Sequence, residues 1–252
     1  MQPIPVLRPP RPPHPTLPLA VAVGAVVLTA TPLITSGWVV GWLDGFALPM
    51  PLHVALAVGF TYGPALLWWW VASGWLGTGH RRHDAGLIVR VADVWWGPIT
   101  WLSCFVAQAV IGQLVLSSGI PFESNVDDLT GGGSDTQFVV TIIVLTVVIA
   151  PIAEEIVFRG LLMRGLLRVM PVGPAIALQA VLFGLAHVDP ARGVGNIGLV
   201  VLLSSVGAVL GGAAYMHRRL APAMIAHAML NAIAVSLALW GPSFEWSMSI
   251  IR

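Results

Sequence analysis

Residues 142–162 read IIVLTVVIAPIAEEIVFRGLL, a run that is long and apolar enough to cross a bilayer. It nevertheless contains the adjacent acids Glu154 and Glu155, with Arg159 about one helical turn later. An ionised carboxylate in hydrocarbon costs several kcal/mol, and intramembrane ionisable residues usually face a cavity or one another. The stretch therefore predicts a membrane-spanning helix that carries a functional site.

The composition of the whole chain is that of an integral membrane protein. Of its 252 residues, 57% are hydrophobic and only 9% are charged, and the mean hydropathy is +0.87, whereas a soluble domain has about 25% charged residues. We expect a multi-pass protein of the bacterial plasma membrane, in contact with the lipid bilayer. The net charge of +1 gives no reason to expect nucleic acid, and the single cysteine, Cys104, excludes disulfides within the chain and thiolate metal clusters.

The apolar segments predict an all-α fold, a polytopic transmembrane helical bundle of about seven spans. Residues 1–16 are rich in proline and have no apolar periodicity, so we expect a disordered cytoplasmic tail there. Residues 17–242 would then form the transmembrane domain. The predicted spans lie near residues 17–43, 50–76, 98–120, 137–167, 172–189, 196–216 and 219–241.

The charges between the spans predict an N-in, C-out orientation. Arg81, Arg82 and Arg90 lie in the connection at 77–97, whereas the connection at 121–136 contains four acids and no arginine. Because short cytoplasmic loops have an excess of basic residues, the first of these connections is assigned to the cytoplasm. With seven spans, the C-terminus is then extracytoplasmic.

Counting along the predicted helices brings Glu154 and His187 to the same depth. The fourth and fifth spans form a hairpin that turns at residues 170–173, and both residues are 16 positions from this turn. At about 1.5 Å per residue, both lie roughly 24 Å along antiparallel helices. Because Arg164 and Arg168 precede the turn, we expect the pair to lie below the cytoplasmic face, in a cavity open to that side.

Two further pairs of polar residues share helix faces. His227 and Asn231 are four residues apart in the seventh span, as are Glu155 and Arg159 in the fourth. Pairing with Arg159 would neutralise Glu155 and leave Glu154 to face a cavity. A Glu and a His on either side of a water form a general-base arrangement, and a second His with an Asn can bind an oxyanion. One Glu with two His is equally a catalytic zinc set, and spacing does not decide between these alternatives.

Three short motifs in these spans resemble those of a known family. Residues 154–159 read EEIVFR, residues 183–187 read FGLAH and residues 227–231 read HAMLN. They match, in the same order, the EExxxR, FxxxH and HxxxN motifs of the CPBP family of intramembrane proteases, which includes the Abi proteins and the CAAX prenyl endopeptidases of the Rce1 type. The resemblance covers roughly residues 137–241, the expected catalytic core, and does not extend to the first three spans.

The resemblance implies a role for each matching residue. Glu154 and His187 would activate the attacking water, and His227 and Asn231 would stabilise the oxyanion. The residues that would support the site structurally are Glu155 and Arg159.

The resemblance leaves the cofactor open, because the family has been described both as metalloproteases and as metal-independent glutamate proteases. We expect that no cofactor is required, since neither HExxH nor another compact zinc motif occurs in the chain. Zinc is the alternative, and its ligands would be Glu154, His187 and His227.

The implied function is an intramembrane endopeptidase that hydrolyses CAAX-like, prenylated tails or other membrane-associated peptides and proteins. In a bacterium, the expected substrates would be peptide pheromones, bacteriocin-related peptides or membrane-protein termini. One rival is a non-enzymatic membrane peptide-binding or immunity protein that uses the same cavity. Another is a proton-coupled transporter with Glu154 and His187 as the relay. The chain contains no GxSG, HExxH or GxGD motif, which disfavours the other classes of intramembrane protease.

Overall fold

The computed structural model describes residues 17–46, 48–125 and 136–240. Within these ranges the chain forms helices and no strand. The predicted tail, residues 1–16, lies outside the described residues. The helices are α1 (Leu19–Asp44), α2 (Met50–Trp75), α3 (Arg81–Ala85), α4 (Asp93–Ser117), α5 (Thr136–Leu166), α6 (Val172–Leu185), α7 (Asn196–His217) and α8 (Ala221–Trp240), with a 3-10 segment at Pro190–Gly195.

The helices confirm an all-helical, multi-pass membrane architecture. Among the described residues, five helices are long and apolar enough to cross a membrane: α2, α4, α5, α8, and α7 together with the 3-10 segment before it. Two shorter apolar stretches, Leu19–Thr31 in α1 and the whole of α6, complete the seven predicted segments. α4 begins at Asp93, five residues earlier than predicted, and the carboxylate at its first position is paired with Arg219 at 2.5 Å.

The fifth predicted span is shorter than the sequence suggests. α6 ends at Leu185 instead of residue 189, and its 14 residues extend about 21 Å, less than the roughly 30 Å of the hydrocarbon core. Asn196 stabilises the irregular backbone that follows, since its Oδ1 accepts from Asp189 N at 3.0 Å and its Nδ2 donates to Asp189 O at 2.7 Å. His187 therefore lies just beyond the end of the helix and not within it.

Glycines allow α6 and α7 to pack closely. A Cβ on Gly207 would lie 3.0 Å from Ala180 Cα, and a Cβ on Gly184 would lie 2.6 Å from Val200 O. Helices in membranes approach each other at such positions because glycine has no side chain to separate the backbones. The contact holds α6, and the polar segment after it, against α7.

The connections after α2, α5 and α7 meet on one face of the bundle, which we call the arginine-rich face. Arg164 donates hydrogen bonds to Asp84 O at 3.2 Å and to Arg218 O at 3.4 Å. Leu220 N donates to Gly86 O at 2.9 Å. These contacts bring the arginine-bearing connections together on one face of the bundle. The N-in orientation places this face in the cytoplasm, and that location stays a prediction.

Candidate active site

α5 changes its hydrogen-bonding pattern on both sides of the first motif. It contains two π-helical segments, Val144–Ile149 and Glu155–Met163, with the short α-helical stretch Ala150–Glu154 between them. π-helical segments are rare and often occur at functional sites. Glu154 and Glu155 therefore lie at the junction between an α-helical and a π-helical segment.

The two carboxylate oxygens of Glu154 have different environments. Oε1 accepts a hydrogen bond from the Tyr62 hydroxyl of α2, whereas the buried Oε2 has no hydrogen-bond partner among the described residues. Two imidazole nitrogens face Oε2, His187 Nε2 at 3.8 Å and His227 Nε2 at 3.6 Å. Both separations are too long for a direct hydrogen bond. Since buried polar atoms are normally satisfied, Oε2 is the atom to which a water or a ligand would bind.

The contacts of the other ring nitrogens determine what each imidazole presents to Glu154. His187 Nδ1 lies 2.8 Å from Phe183 O, and since a carbonyl only accepts, Nδ1 carries the hydrogen. His227 Nδ1 lies 3.0 Å from Glu155 Oε1, where an ionised carboxylate imposes the same tautomer. In their neutral forms, both rings therefore direct the lone pair of Nε2 toward Glu154.

Glu155 and Arg159 form a completely buried ion pair. Arg159 Nη1 lies 2.8 Å from Glu155 Oε1, and neither side chain is exposed to solvent. Arg159 also donates to Gly207 O at 3.2 Å, and its guanidinium lies 4.4 Å from the centre of the Phe183 ring. The pair therefore joins α5 to α6 and α7, and the carboxylate that binds Arg159 also holds His227.

Asn231 is held by the backbone of α5. Its Nδ2 donates to Thr146 O at 2.7 Å. In the preceding π-helical segment, Ala150 N bonds to Leu145 O, five residues earlier. In the same pattern, Thr146 O would accept from the backbone N–H of residue 151, five residues later. Residue 151 is a proline, however, and has no backbone N–H. The proline thus leaves a carbonyl oxygen available to Asn231.

These side chains line a cavity of about 690 Å³ at the centre of the bundle. Every long helix contributes residues to its wall. The residues of the three motif segments that line it are Glu154, Phe158, Phe183, Ala186, His187, His227, Leu230 and Asn231. The structure thus brings the four predicted catalytic residues to one cavity, with Glu155 and Arg159 buried behind it.

The residues that line the cavity extend from Glu154 away from the arginine-rich face, and the expected opening to the cytoplasmic side stays a prediction. Gln108 and Leu237, which line it, lie about 22 and 24 Å along α4 and α8 from that face, and Asn125 lies in the connection at the opposite end. On the arginine-rich side of Glu154, Phe158 and Phe183 pack edge to face with ring centres 5.2 Å apart. These two rings line the cavity on that side, and residues 186–190, after the early end of α6, also line it.

The predicted metal ligands do not form a metal site as they are arranged. Glu154 Oε2 is 3.8 and 3.6 Å from the two Nε2 atoms, whereas ligands of a tetrahedral zinc are about 3.4 Å apart. Within the described parts of the chain, no three His, Cys, Asp or Glu side chains could hold a metal ion. The donor types suit zinc, but their positions would have to change.

The sequence analysis missed Tyr62 and the bond between Glu155 and His227. Tyr62 belongs to α2, where no motif was found, and the available signal was a single tyrosine in the middle of an apolar span. Gln179, fully buried in α6, was also missed; its Nε2 donates to Gly207 O at 2.9 Å, beside Arg159. A polar side chain within an apolar helix signals a partner on another helix.

Comparison with known proteins matches part of the chain to a described family. Residues 136–233 match the family described as type II CAAX prenyl endopeptidase Rce1-like. No curated protein and no solved structure matches the chain. The matched segment contains all three motifs and supports a protease. The predicted resemblance to the CPBP family is thereby confirmed, and residues 136–233 are the Rce1-like segment of a multi-pass membrane protein.

Proposed function

We propose that the protein is an intramembrane endopeptidase of the bacterial plasma membrane. Its substrates would be CAAX-like tails, with or without a prenyl group, or other membrane-associated peptides and proteins. The observation that carries the proposal is the buried Oε2 of Glu154, which has no partner among the described residues and which two imidazoles face within a 690 Å³ cavity. Cavities of this size are typical of ligand sites.

Glu154 and His187 activate the attacking water in this mechanism. The 3.8 Å between Glu154 Oε2 and His187 Nε2 leaves a place where one water donates a hydrogen to each acceptor. The water oxygen attacks the carbonyl carbon of the scissile peptide bond. A C–O bond forms, and one proton of the water passes to Glu154, which acts as the general base.

His227 and Asn231 stabilise the oxyanion that results. Asn231 Nδ2 has two hydrogens and uses one for Thr146 O, so the other is available to the cavity. His227 donates through Nε2 when the ring carries both protons, and Glu155 at Nδ1 offsets the positive charge of that ring. The C–N bond then breaks, and the proton held by Glu154 passes to the leaving nitrogen, which gives a carboxylic acid and an amine.

This mechanism needs no metal at any step. The alternative is a zinc ion held by Glu154, His187 and His227, which would bring these three ligands closer together. The two versions differ in their response to a chelator, whereas both require Glu154.

The direct test is cleavage of a peptide panel, with and without prenyl groups, by the purified protein in nanodiscs. We expect the wild type to cleave at least one peptide and Glu154→Gln to be about 10²- to 10⁴-fold slower, because the amide cannot accept the proton of the water. The matched control is Glu123→Gln, which changes an exposed acid outside the cavity and should cleave normally. Activity should survive a chelator.

Other results would support different conclusions. Wild-type rates in Glu154→Gln would contradict the proposed mechanism. Loss of cleavage in the presence of a chelator, with recovery on addition of zinc, would favour the metal version. If wild type and Glu154→Gln bound a peptide equally well and neither cleaved it, the binding or immunity protein would replace the enzyme.

A further inference from the structure

Tyr62 contacts the central carboxylate from outside the matched segment. It lies in α2, whereas the Rce1-like match begins at residue 136. Its hydroxyl donates to Glu154 Oε1, across 92 positions of sequence. We propose that Tyr62 is a positioning residue that fixes the rotation of the Glu154 carboxylate. The proposal rests on the proposed function, since it assigns Tyr62 to the same reaction.

The place of Tyr62 in its helix argues against an anchoring role. Tyrosines of membrane proteins are enriched at the two interfaces, where the ring is apolar and the hydroxyl reaches water. Tyr62 is the thirteenth of the 26 residues of α2, about 18 Å or more from either end. A phenol at that depth needs a hydrogen-bond partner within the protein, and Glu154 supplies it.

The contact determines which oxygen of Glu154 is left for chemistry. The terminal torsion of a glutamate side chain is soft, so an unrestrained carboxylate rotates easily. A hydrogen bond to an ionised acceptor is stronger than one between neutral groups, and here it engages Oε1 alone. Oε2 is thereby directed to the space between His187 and His227.

The kinetic test compares Tyr62→Phe with Tyr215→Phe. The first change removes the hydroxyl and keeps the ring. We expect kcat to fall about 10- to 100-fold, the range of supporting groups that orient a reactive one, with KM within about 2-fold. Tyr215, the other tyrosine of the chain, lies in α7 and does not line the cavity, so its variant should match the wild type. Wild-type kcat in Tyr62→Phe, or a change confined to KM, would overturn the proposal.

A spectroscopic test does not depend on cleavage. In the Tyr215→Phe protein Tyr62 is the only tyrosine, so labelling tyrosine with 13C at Cζ gives one resonance. Replacing the acceptor with Glu154→Ala should displace this resonance, whereas Glu123→Ala should not. An unchanged resonance in Glu154→Ala would overturn the proposal. If the wild type cleaves no peptide, the proposed function fails, and the resonance alone decides whether Tyr62 holds Glu154.

Discussion

His227 Nδ1 lies 3.0 Å from Glu155 Oε1, and the Nε2 of the same ring faces the neighbouring acid, Glu154. Glu155 thus holds the imidazole that faces Glu154. Glu155 is fully buried and is also paired with Arg159. Glu154 instead contacts a phenol and lines the cavity. Two neighbouring carboxylates therefore differ in what they bind, and substitutions should separate their contributions to stability and to activity.

Glu155→Gln should destabilise the protein. The change leaves the guanidinium of Arg159 buried without its carboxylate, and breaking a buried pair on one side costs about 3–5 kcal/mol. The measurement is the midpoint of thermal unfolding in detergent. Glu154→Gln is the control, because Glu154 makes no salt bridge with an arginine among the described residues, and its midpoint should stay near that of the wild type. Equal losses in both variants would contradict the division of roles.

Asn231→Ala should lower kcat by about 10²- to 10³-fold, the usual effect of removing one oxyanion donor. The variant also loses the bond that fixes the side chain against Thr146 O. The matched control on α8 is Ser236→Ala, because Ser236 is exposed and its hydroxyl donates within its own helix, to Ala232 O at 2.6 Å. An unchanged kcat in Asn231→Ala would remove Asn231 from the mechanism.

Gly207→Ala should loosen the contact between α6 and α7. The added Cβ would lie 3.0 Å from Ala180 Cα, so the backbones must separate, at a cost of about 1–3 kcal/mol. Gly212→Ala is the control on the same helix, because its Cβ would lie within 4 Å of no atom of another described helix, and it should be neutral or slightly stabilising. Thermal unfolding of both variants measures the difference. Equal midpoints would show that the helices tolerate the separation.

The N-in, C-out orientation can be tested with topology reporters. A reporter fused after Arg252 should be active only on the extracytoplasmic side. A reporter inserted after Gly79, in the connection on the arginine-rich face, should be cytoplasmic. The opposite pattern would invert the bundle, and the cavity would then extend toward the cytoplasm.

The positions of the long helices could be predicted from the sequence because a helix that crosses a bilayer needs a continuous run of apolar residues. α2 was expected at 50–76 and is found at Met50–Trp75. Counting from one turn also placed Glu154 and His187 at the same depth, and Glu154 Oε2 lies 3.8 Å from His187 Nε2. This succeeded because antiparallel helices that share a short turn keep the same register along their length.

Contacts between distant segments could not be predicted in this way. Tyr62 contacts Glu154 because α2 packs against α5. The spacing of residues in a single sequence does not indicate which residues of two distant helices are in contact. The early end of α6 was missed because Ala186 and Val188 are as apolar as the helix before them. The residues after this early end line the cavity, and the side of the membrane to which the cavity opens stays a prediction.

The short length of α6 bears on how a reaction that consumes water proceeds within lipid. Each hydrolysed bond uses one water molecule, which hydrocarbon does not supply. Irregular backbone is tolerated at membrane depth only where it is buried in protein or lines a polar cavity, and the residues after Leu185 line the cavity beside His187. We therefore expect the proposed attacking water to reach Glu154 through the part of the cavity beside the early end of α6.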